Sequence, residues 1–476
     1  MRLGAIRAEL PPLLALAVPL IFGELGWIAM SVVDTAMLGR APNSALALAS
    51  SALAQVLFNT LAFGIGGVLL ALDTLISQAL GEGDQPGANR WLWHGVVMAV
   101  SLAVLLMVAV AVMPALLLRL PVDHAVLAGA VPALRGLNYG VLPLLLYFAL
   151  RRYLQAAHHG RLIMAALISA NIINALGDWL LIYGHHWVLA AHAVNVPAFG
   201  VEGSSWATSL ARLYMMLFLL AALAWADRRE VYGLGQTPLQ LQLRDIRRML
   251  ALGAPVGAQI FIEVAIFALA TSVIATFGPV PLAGHEIALE CASTTFMVPL
   301  AISGATSVRV GHAIGRARVG LGELECIAAA GWSGILVGAG FMLSSALTFI
   351  LIPAPIARIF THDAPVVAAA APLLMVATGF QFFDGLQSTA TGALRGTGRT
   401  LAPLLIQIVC FWIVGMPLGV VFAFVLHGRA VGVWWGLSTG LILASLALLW
   451  QWHRLSRAPA ALLGSTASPL PAEVSL

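Results

Sequence analysis

Read as a pattern of apolar and polar positions, the chain is a series of twelve long hydrophobic runs broken by short polar, glycine or proline segments. The runs fall near 11–39, 50–80, 91–118, 130–157, 162–184 and 203–226, and then near 251–278, 283–312, 324–352, 364–394, 400–426 and 430–453. Each is long enough to hold the ~20 apolar residues that carry a helix across a bilayer. The pattern therefore predicts an all-α polytopic membrane protein with twelve transmembrane helices. A polar stretch, DRREVYGLGQTPLQLQLRDIRR, separates the sixth run from the seventh. It divides the chain into an N-lobe (1–226), an inter-lobe linker (227–248), a C-lobe (249–455) and a tail (456–476).

The two halves resemble each other. Val18-Pro19 opens the first run as Ala254-Pro255 opens the seventh, 236 residues later. Ser77-Gln78-Ala79-Leu80-Gly81 parallels Gly311-His312-Ala313-Ile314-Gly315, and His159-Gly160-Arg161 parallels Thr397-Gly398-Arg399. Six spans return a chain to the side it left, so both halves enter the membrane in the same direction. The prediction is two pseudo-symmetric six-helix bundles related as a parallel repeat. Pro19 and Pro255 are expected to kink their helices, because a proline leaves one carbonyl of the preceding turn without its donor.

Composition sharpens this picture. The 476 residues are 61% hydrophobic and 9% charged, against roughly 25% charged in soluble domains, which excludes a soluble protein. The net charge of +4 does not point to nucleic acid, because all 24 basic residues are arginine and most lie between the runs. With both termini placed in the cytoplasm, 18 of these 24 arginines face inward, as the positive-inside rule requires. The expected location is the bacterial inner membrane. The first run is too long for a signal-peptide core and is expected to be retained. Cys291, Cys326 and Cys410 lie in apolar segments with no disulfide or metal-ligand spacing.

The candidate chemistry is acidic. Glu24, Asp34, Asp73, Asp178, Glu263, Glu286, Glu290 and Asp384 all fall inside runs, with Arg212 as the one basic residue counted among them. At ~2.5 to 3.5 kcal/mol per charge at the bilayer centre, eight lipid-facing carboxylates would cost on the order of 20 kcal/mol, so they are expected to face protein or a wet cavity. Polar neighbours recur at helical spacing: Asn171, Asn174 and Asp178; Ser205, Thr208, Ser209 and Arg212; Gln259 and Glu263; Gln381, Asp384, Gln387, Ser388 and Thr391. Such stripes suit a polar cavity of negative potential that takes cations. A structural reading stands beside this one, in which single acids tie helices together by hydrogen bonds. Glu286 and Glu290 are like charges one turn apart, which points either to a shared proton or cation or to an interfacial Glu286.

These residues also carry a resemblance. Pro19 with Val33-Asp34-Thr35-Ala36-Met37-Leu38-Gly39, Leu72-Asp73-Thr74-Leu75, Phe261-Ile262-Glu263, Ala283-Gly284-His285-Glu286-Ile287-Ala288-Leu289 and Asp384 with Gly392-Ala393-Leu394-Arg395-Gly396 resemble the multidrug and toxic compound extrusion (MATE) family. The match is NorM-like, with some DinF-like residues in the N-lobe. The resemblance implies secondary active export of cationic or lipophilic organic compounds, driven by Na+ or H+ entry through alternating access of the two lobes. It implies cation coupling at Asp34, Asn174, Asp178, Thr208, Glu263 and Asp384, with Na+ held by Glu263 and Asp384 or by Asp34 and Asp178. Glu24, Asp73, Gln259, Glu286, Glu290, Gln381, Gln387 and Thr391 are candidate cavity-lining residues. Glu24, Glu286 and Glu290 depart from the family pattern and leave the coupling ion open. No cofactor is expected beyond that ion. The expected partners are small organic cations or drugs and membrane lipid, with no nucleic acid, and the chain is expected to be monomeric.

Rival classes fit less well. Gly436-Leu437-Ser438-Thr439-Gly440 matches a G-x-S-x-G nucleophile motif, but that motif needs a strand-to-helix turn and here lies within the twelfth run. No catalytic residue is expected. A lipid-linked substrate flippase of a related superfamily remains the alternative, although a pyrophosphate cargo would call for a basic cavity rather than an acidic one.

Overall fold

A computed structural model describes residues 3–117, 119, 123–189, 192–230, 232–238 and 240–458. Arg2, most of the expected C-terminal tail (459–476) and two positions of the linker, 231 and 239, lie outside the described residues.

Among the described residues, twelve spans are present when one bent pair is counted as a single span. The first six are α1 (Leu3–Leu38), α2 (Ser44–Gly81), α3 (Gln85–Leu117), α4 (His124–Tyr139 and Val141–Ala156), α5 (Gly160–Tyr183) and α6 (Val201–Glu230). The second six are α7 (Leu243–Ala275), α8 (Pro279–Arg318), α9 (Leu324–Leu351), α10 (Ala364–Gly396), α11 (Leu401–Val425) and α12 (Arg429–Arg457). Their surfaces match a hydrocarbon solvent. Val104, Leu105, Val108, Val112 and Leu116 of α3 are each more than half exposed, and in water each would forgo roughly 1.5 to 3 kcal/mol of burial. The chain is a multi-pass membrane protein.

The runs predicted from sequence all appear, with local differences that have physical causes. The fourth, expected as one helix over 130–157, bends by 45° between Tyr139 and Val141. Pro143 cannot donate to the Tyr139 carbonyl, and Gly140 leaves room for the Ser209 backbone to come close. The Asp123 carboxylate caps the first half by accepting from the Ala125 N–H at 2.8 Å. α2 tightens to a 3₁₀ turn over Gly67–Leu70, where Gly67 meets the backbone of Gly257. α11 widens into π-helical turns at Ile408–Gly415 and Val421–Val425, on either side of Pro417. α1 and α7 run unbroken through Pro19 and Pro255. Among the described residues, small elements that were not anticipated are an antiparallel pair, β1 (His185–Leu189) with β2 (His192–Val196), a 3₁₀ turn at Leu234–Gln236 and a short helix at Pro353–Phe360.

The packing forms two compact units. The first holds Val18–Leu72 and Asn89–Leu269, and the second holds the described residues of Met1–Ala17, Asp73–Ala88 and Ala270–Leu476. In the first unit, Gly203 sits on the Leu181 carbonyl and Gly177 on Ala207, bringing α5 and α6 together. The linker is tied down there: Asn89 Nδ2 donates to the Tyr232 carbonyl at 2.8 Å, and the Tyr153 hydroxyl donates to Asn89 Oδ1 at 2.6 Å. In the second unit, Val310, Ile314, Ile327, Ile335, Leu394, Leu448 and Trp452 form a shared core. There α11 and α12 meet backbone to backbone, with Gly436 against Gly419 and Gly440 against Gly415. This is the small-residue packing used where lipid tails compete with every apolar side chain. The G-x-S-x-G run is thus a helix crossing.

A methyl group added at Gly436 would collide with the Gly419 backbone, whereas one added at Gly340 of α9 meets nothing. Gly436→Ala is expected to lower stability by about 1 to 3 kcal/mol. Gly340→Ala is expected to raise it by about 0.5 to 1 kcal/mol through backbone entropy. Thermal unfolding of both variants in one detergent checks the contrast.

Candidate functional site

α1, α5 and α6 of the first unit bring Asp34, Asn174, Asp178 and Thr208 together. Asp34 is 3% exposed, and Asn174 and Asp178 are fully buried. Thr208 Oγ1 lies 3.4 Å from Asp34 Oδ2 and 3.0 Å from the Ser204 carbonyl, so its single proton is shared between them. The Asp34 and Asp178 carboxyls interact directly, and Asn174 borders Asp34. Arg212, one turn beyond Thr208 on α6, is buried beside Asp34 with its guanidinium carbon 4.5 Å above the Phe58 ring.

The pocket holds many polar atoms that the protein itself does not satisfy. Both Asp178 oxygens, one Asp34 oxygen, both amide atoms of Asn174, the Ser204 hydroxyl, and Nε and Nη1 of Arg212 are buried without a protein hydrogen bond. Buried polar groups are nearly always bonded, and two facing carboxyls repel unless a proton or cation lies between them. Chemically, the arrangement suits uptake of a proton or a small monovalent cation, with oxygens from three helices around it. α6 presents Ser204, Thr208 and Arg212 on this face at four-residue steps. Ser205 and Ser209, grouped with Thr208 from sequence, turn elsewhere, since Ser209 donates to the Gly136 carbonyl at 2.7 Å. Ser204 was the residue missed, although the four-residue step from Thr208 marks it.

Glu24 is paired. Arg151, counted from sequence with the cytoplasmic loops, is 3% exposed inside α4 and donates to Glu24 Oε1. Arg212 is therefore not the only basic residue balancing the membrane acids. Arg395 at the end of α10 is buried as well.

The remaining candidates divide between the two units. Gln259 is buried and Glu263 half-buried on α7 of the first unit. On α10 of the second unit, Gln381, Asp384, Gln387 and Thr391 are all buried. Gln381 Nε2 donates to Thr295 Oγ1, while the Gln387 carbonyl oxygen and the Thr391 hydroxyl have no protein partner. Asp73 is fully buried near the end of α2. Glu286 and Glu290 lie on the exposed side of α8, and the buried side carries His285. The Trp434 indole N–H donates to His285 Nδ1 at 3.0 Å, and His285 Nε2 lies 2.8 Å from Thr271 Oγ1. An indole can only donate, so Nδ1 is the accepting nitrogen and the proton sits on Nε2. Sequence reasoning passed over His285 because nothing in its own helix announces the distant tryptophan.

With this geometry in place, comparison with known proteins places the chain. The MatE family profile matches residues 19–180 and 255–421, a segment in each half. The chain belongs to the MatE family. It is 32% identical to a probable multidrug resistance protein NorM of Geobacillus kaustophilus over 94% of this chain and 97% of the relative. It is 33% identical to a protein of the same description from Pseudomonas putida, over 95% and 96%. Among solved structures, the chain is similar to the outward-facing conformation of a multidrug resistance MATE family transporter of the MOP superfamily (TM-score 0.83, 18% identity, 94% of this chain and 96% of that one). It is similar also to the eukaryotic MATE transporter AtDTX14 (TM-score 0.82, 17% identity, 96% and 100%). The MATE resemblance read from the motifs is borne out, and the chain has the family's fold of twelve spans in two six-helix bundles.

Glu24→Gln would leave the Arg151 guanidinium buried against a neutral amide and is expected to cost about 3 to 5 kcal/mol. Asp178→Asn removes one of two facing carboxyls and is expected to be neutral or stabilising within about 1 kcal/mol. Thermal unfolding of the two variants side by side separates a structural acid from a functional one.

Proposed function

We propose that this MATE protein is a secondary active multidrug efflux antiporter, exporting cationic or lipophilic organic compounds in exchange for Na+ or H+. The observation that carries the reading is the buried pocket of Asp34, Asn174, Asp178 and Thr208, in which two carboxyls face each other with oxygens they cannot satisfy. The acid excess within the spans supports a cationic cargo. The description of its relatives as probable multidrug resistance proteins supports the drug class.

In this mechanism a proton or Na+ from outside enters the pocket and neutralises the Asp34 and Asp178 pair. Thr208, Ser204 and Asn174 supply further oxygens to it, while the Arg212 charge limits how much additional cation the pocket takes. Glu263 in the first unit and Asp384 in the second each act as a further coupling carboxylate. Cation and drug favour different states of the lobes 1–226 and 249–455, so each lowers the affinity for the other by the same factor. The lobes alternate access to the two sides. The chain sits in the inner membrane as a monomer with both termini in the cytoplasm, the side that receives most of its arginines.

Efflux of ethidium from proteoliposomes under separately imposed Na+ and pH gradients tests the reading. Efflux is expected to follow at least one gradient, and Asp34→Asn or Asp178→Asn is expected to slow it at least tenfold. Efflux indifferent to both gradients would overturn the antiport mechanism.

A further inference from the structure

The two copies of the repeated motif do more than match in sequence. Ser77-Gln78-Ala79-Leu80-Gly81 of α2 and Gly311-His312-Ala313-Ile314-Gly315 of α8 lie in the second unit and pack directly against each other. A Cβ on Gly81 would collide with the His312 carbonyl, one on Gly315 with the Gln78 carbonyl, and one on Gly311 with the Ser77 hydroxyl. The helices therefore cross in backbone contact where the repeat meets itself.

Polar bonds surround this crossing. Arg318 Nη1 donates to Glu82 Oε1 at 2.8 Å and to Gln78 Oε1 at 3.1 Å. Gln78 Nε2 donates to the Gly396 carbonyl at 3.0 Å, and Thr74 Oγ1 to the Arg395 carbonyl at 2.6 Å. Nearby, Arg309 grips Glu9 Oε2 with Nη2 at 2.6 Å and Nε at 3.1 Å. These bonds explain why the start of α1 and the end of α2 group with second-half helices, while the rest of both helices groups with the first half.

We propose that the α2–α8 crossing, fastened by Arg318 on Glu82 and Gln78 and by Arg309 on Glu9, is a latch that closes one face of the membrane and is undone once in each transport cycle. The proposal rests on the alternating-access reading above, because the two halves cannot part at that face while these bonds hold. The two ion pairs are of a kind that can open. Arg318 and Glu82 side chains are 25% and 29% exposed, and those of Arg309 and Glu9 are 19% and 15% exposed, so water reaches each charge as its pair separates. Arg151, only 4% exposed beside Glu24, has little such recourse, and its separation from Glu24 would strand a buried charge. The glycine crossing suits the same end, since it leaves few interlocked side chains to disengage.

Spin labels on Pro86→Cys and Leu321→Cys, two exposed positions flanking the latch, report its state in liposomes once Cys291, Cys326 and Cys410 are replaced by alanine. The parent is expected to give a dominant short distance. Glu82→Gln, Arg318→Gln or Glu9→Gln should each raise the ratio of open to closed by roughly twofold to fivefold. The exchanged pair Glu82→Arg with Arg318→Glu should restore closure. Distance distributions unchanged in all three single variants would overturn the latch. So would full ethidium transport by a Glu82→Cys, Arg318→Cys protein locked as the disulfide, where less than a tenth of the reduced rate is expected. The distance measurement requires no drug. A protein that moved no ethidium would therefore end the efflux reading and still leave the latch to be decided by the labels.

Discussion

Hydrocarbon offers neither a hydrogen bond nor a counter-charge, so every polar side chain carried into the spans must be answered by the chain itself. Most of this structure can be read as the set of answers. Arg151 takes Glu24, Gln381 takes the Thr295 hydroxyl, Asn171 takes the Gly26 carbonyl, and His285 is held between Trp434 and Thr271. Each answer joins two different helices, so the polar groups act as pins that fix which faces meet. Against that background the pocket of Asp34, Asn174 and Asp178 stands out, because two carboxyls face each other there with three of their four oxygens unanswered. A membrane protein tolerates such a site only where a proton, an ion or water completes it, and transport chemistry requires that condition.

The same solvent shapes the apolar packing. Lipid tails compete with leucine on equal terms, so helices associate through close approach instead of through burial of large side chains. Gly67 on Gly257, Gly436 on Gly419, and Gly81 with Gly315 around His312 and Gln78 are three such approaches, and each is backbone against backbone. The division of labour follows from solvent access. Contacts buried deep in a unit, such as Arg151 with Glu24, hold the helices permanently, whereas those at the membrane edge, such as Arg318 with Glu82, can exchange with water.

Much of the site was legible before any packing was known. The four-residue and three-residue steps of Asn171, Asn174 and Asp178 marked the polar face of α5, and the Val33-Asp34-Thr35 run marked α1. What misled was the treatment of neighbours on one helix as if they shared one face. Ser205 and Ser209 are adjacent to the pocket residues in sequence yet turn toward α4, and Ser204 takes the place assigned to them. Arg151 sat close enough to the end of a run to be counted as a loop residue, because a hydropathy pattern registers a charge but not the acid waiting for it on another helix. The bend at Gly140 and the π-helical turns around Pro417 depend on carbonyls left without donors and on what packs beside them.

The sequence by itself determined the number of spans, their order, the repeat and the family, because each of these is written in the period and spacing of residues along one strand of chain. Only the tertiary structure decided which acids are pinned and which are free to work, since that depends on partners more than a hundred residues away, as Arg151 is from Glu24 and Thr208 is from Asp34. It also decided that the two copies of a repeated motif would become each other's contact. Similarity between segments records common geometry, but whether two such segments touch is settled by how small their residues are and how the helices cross.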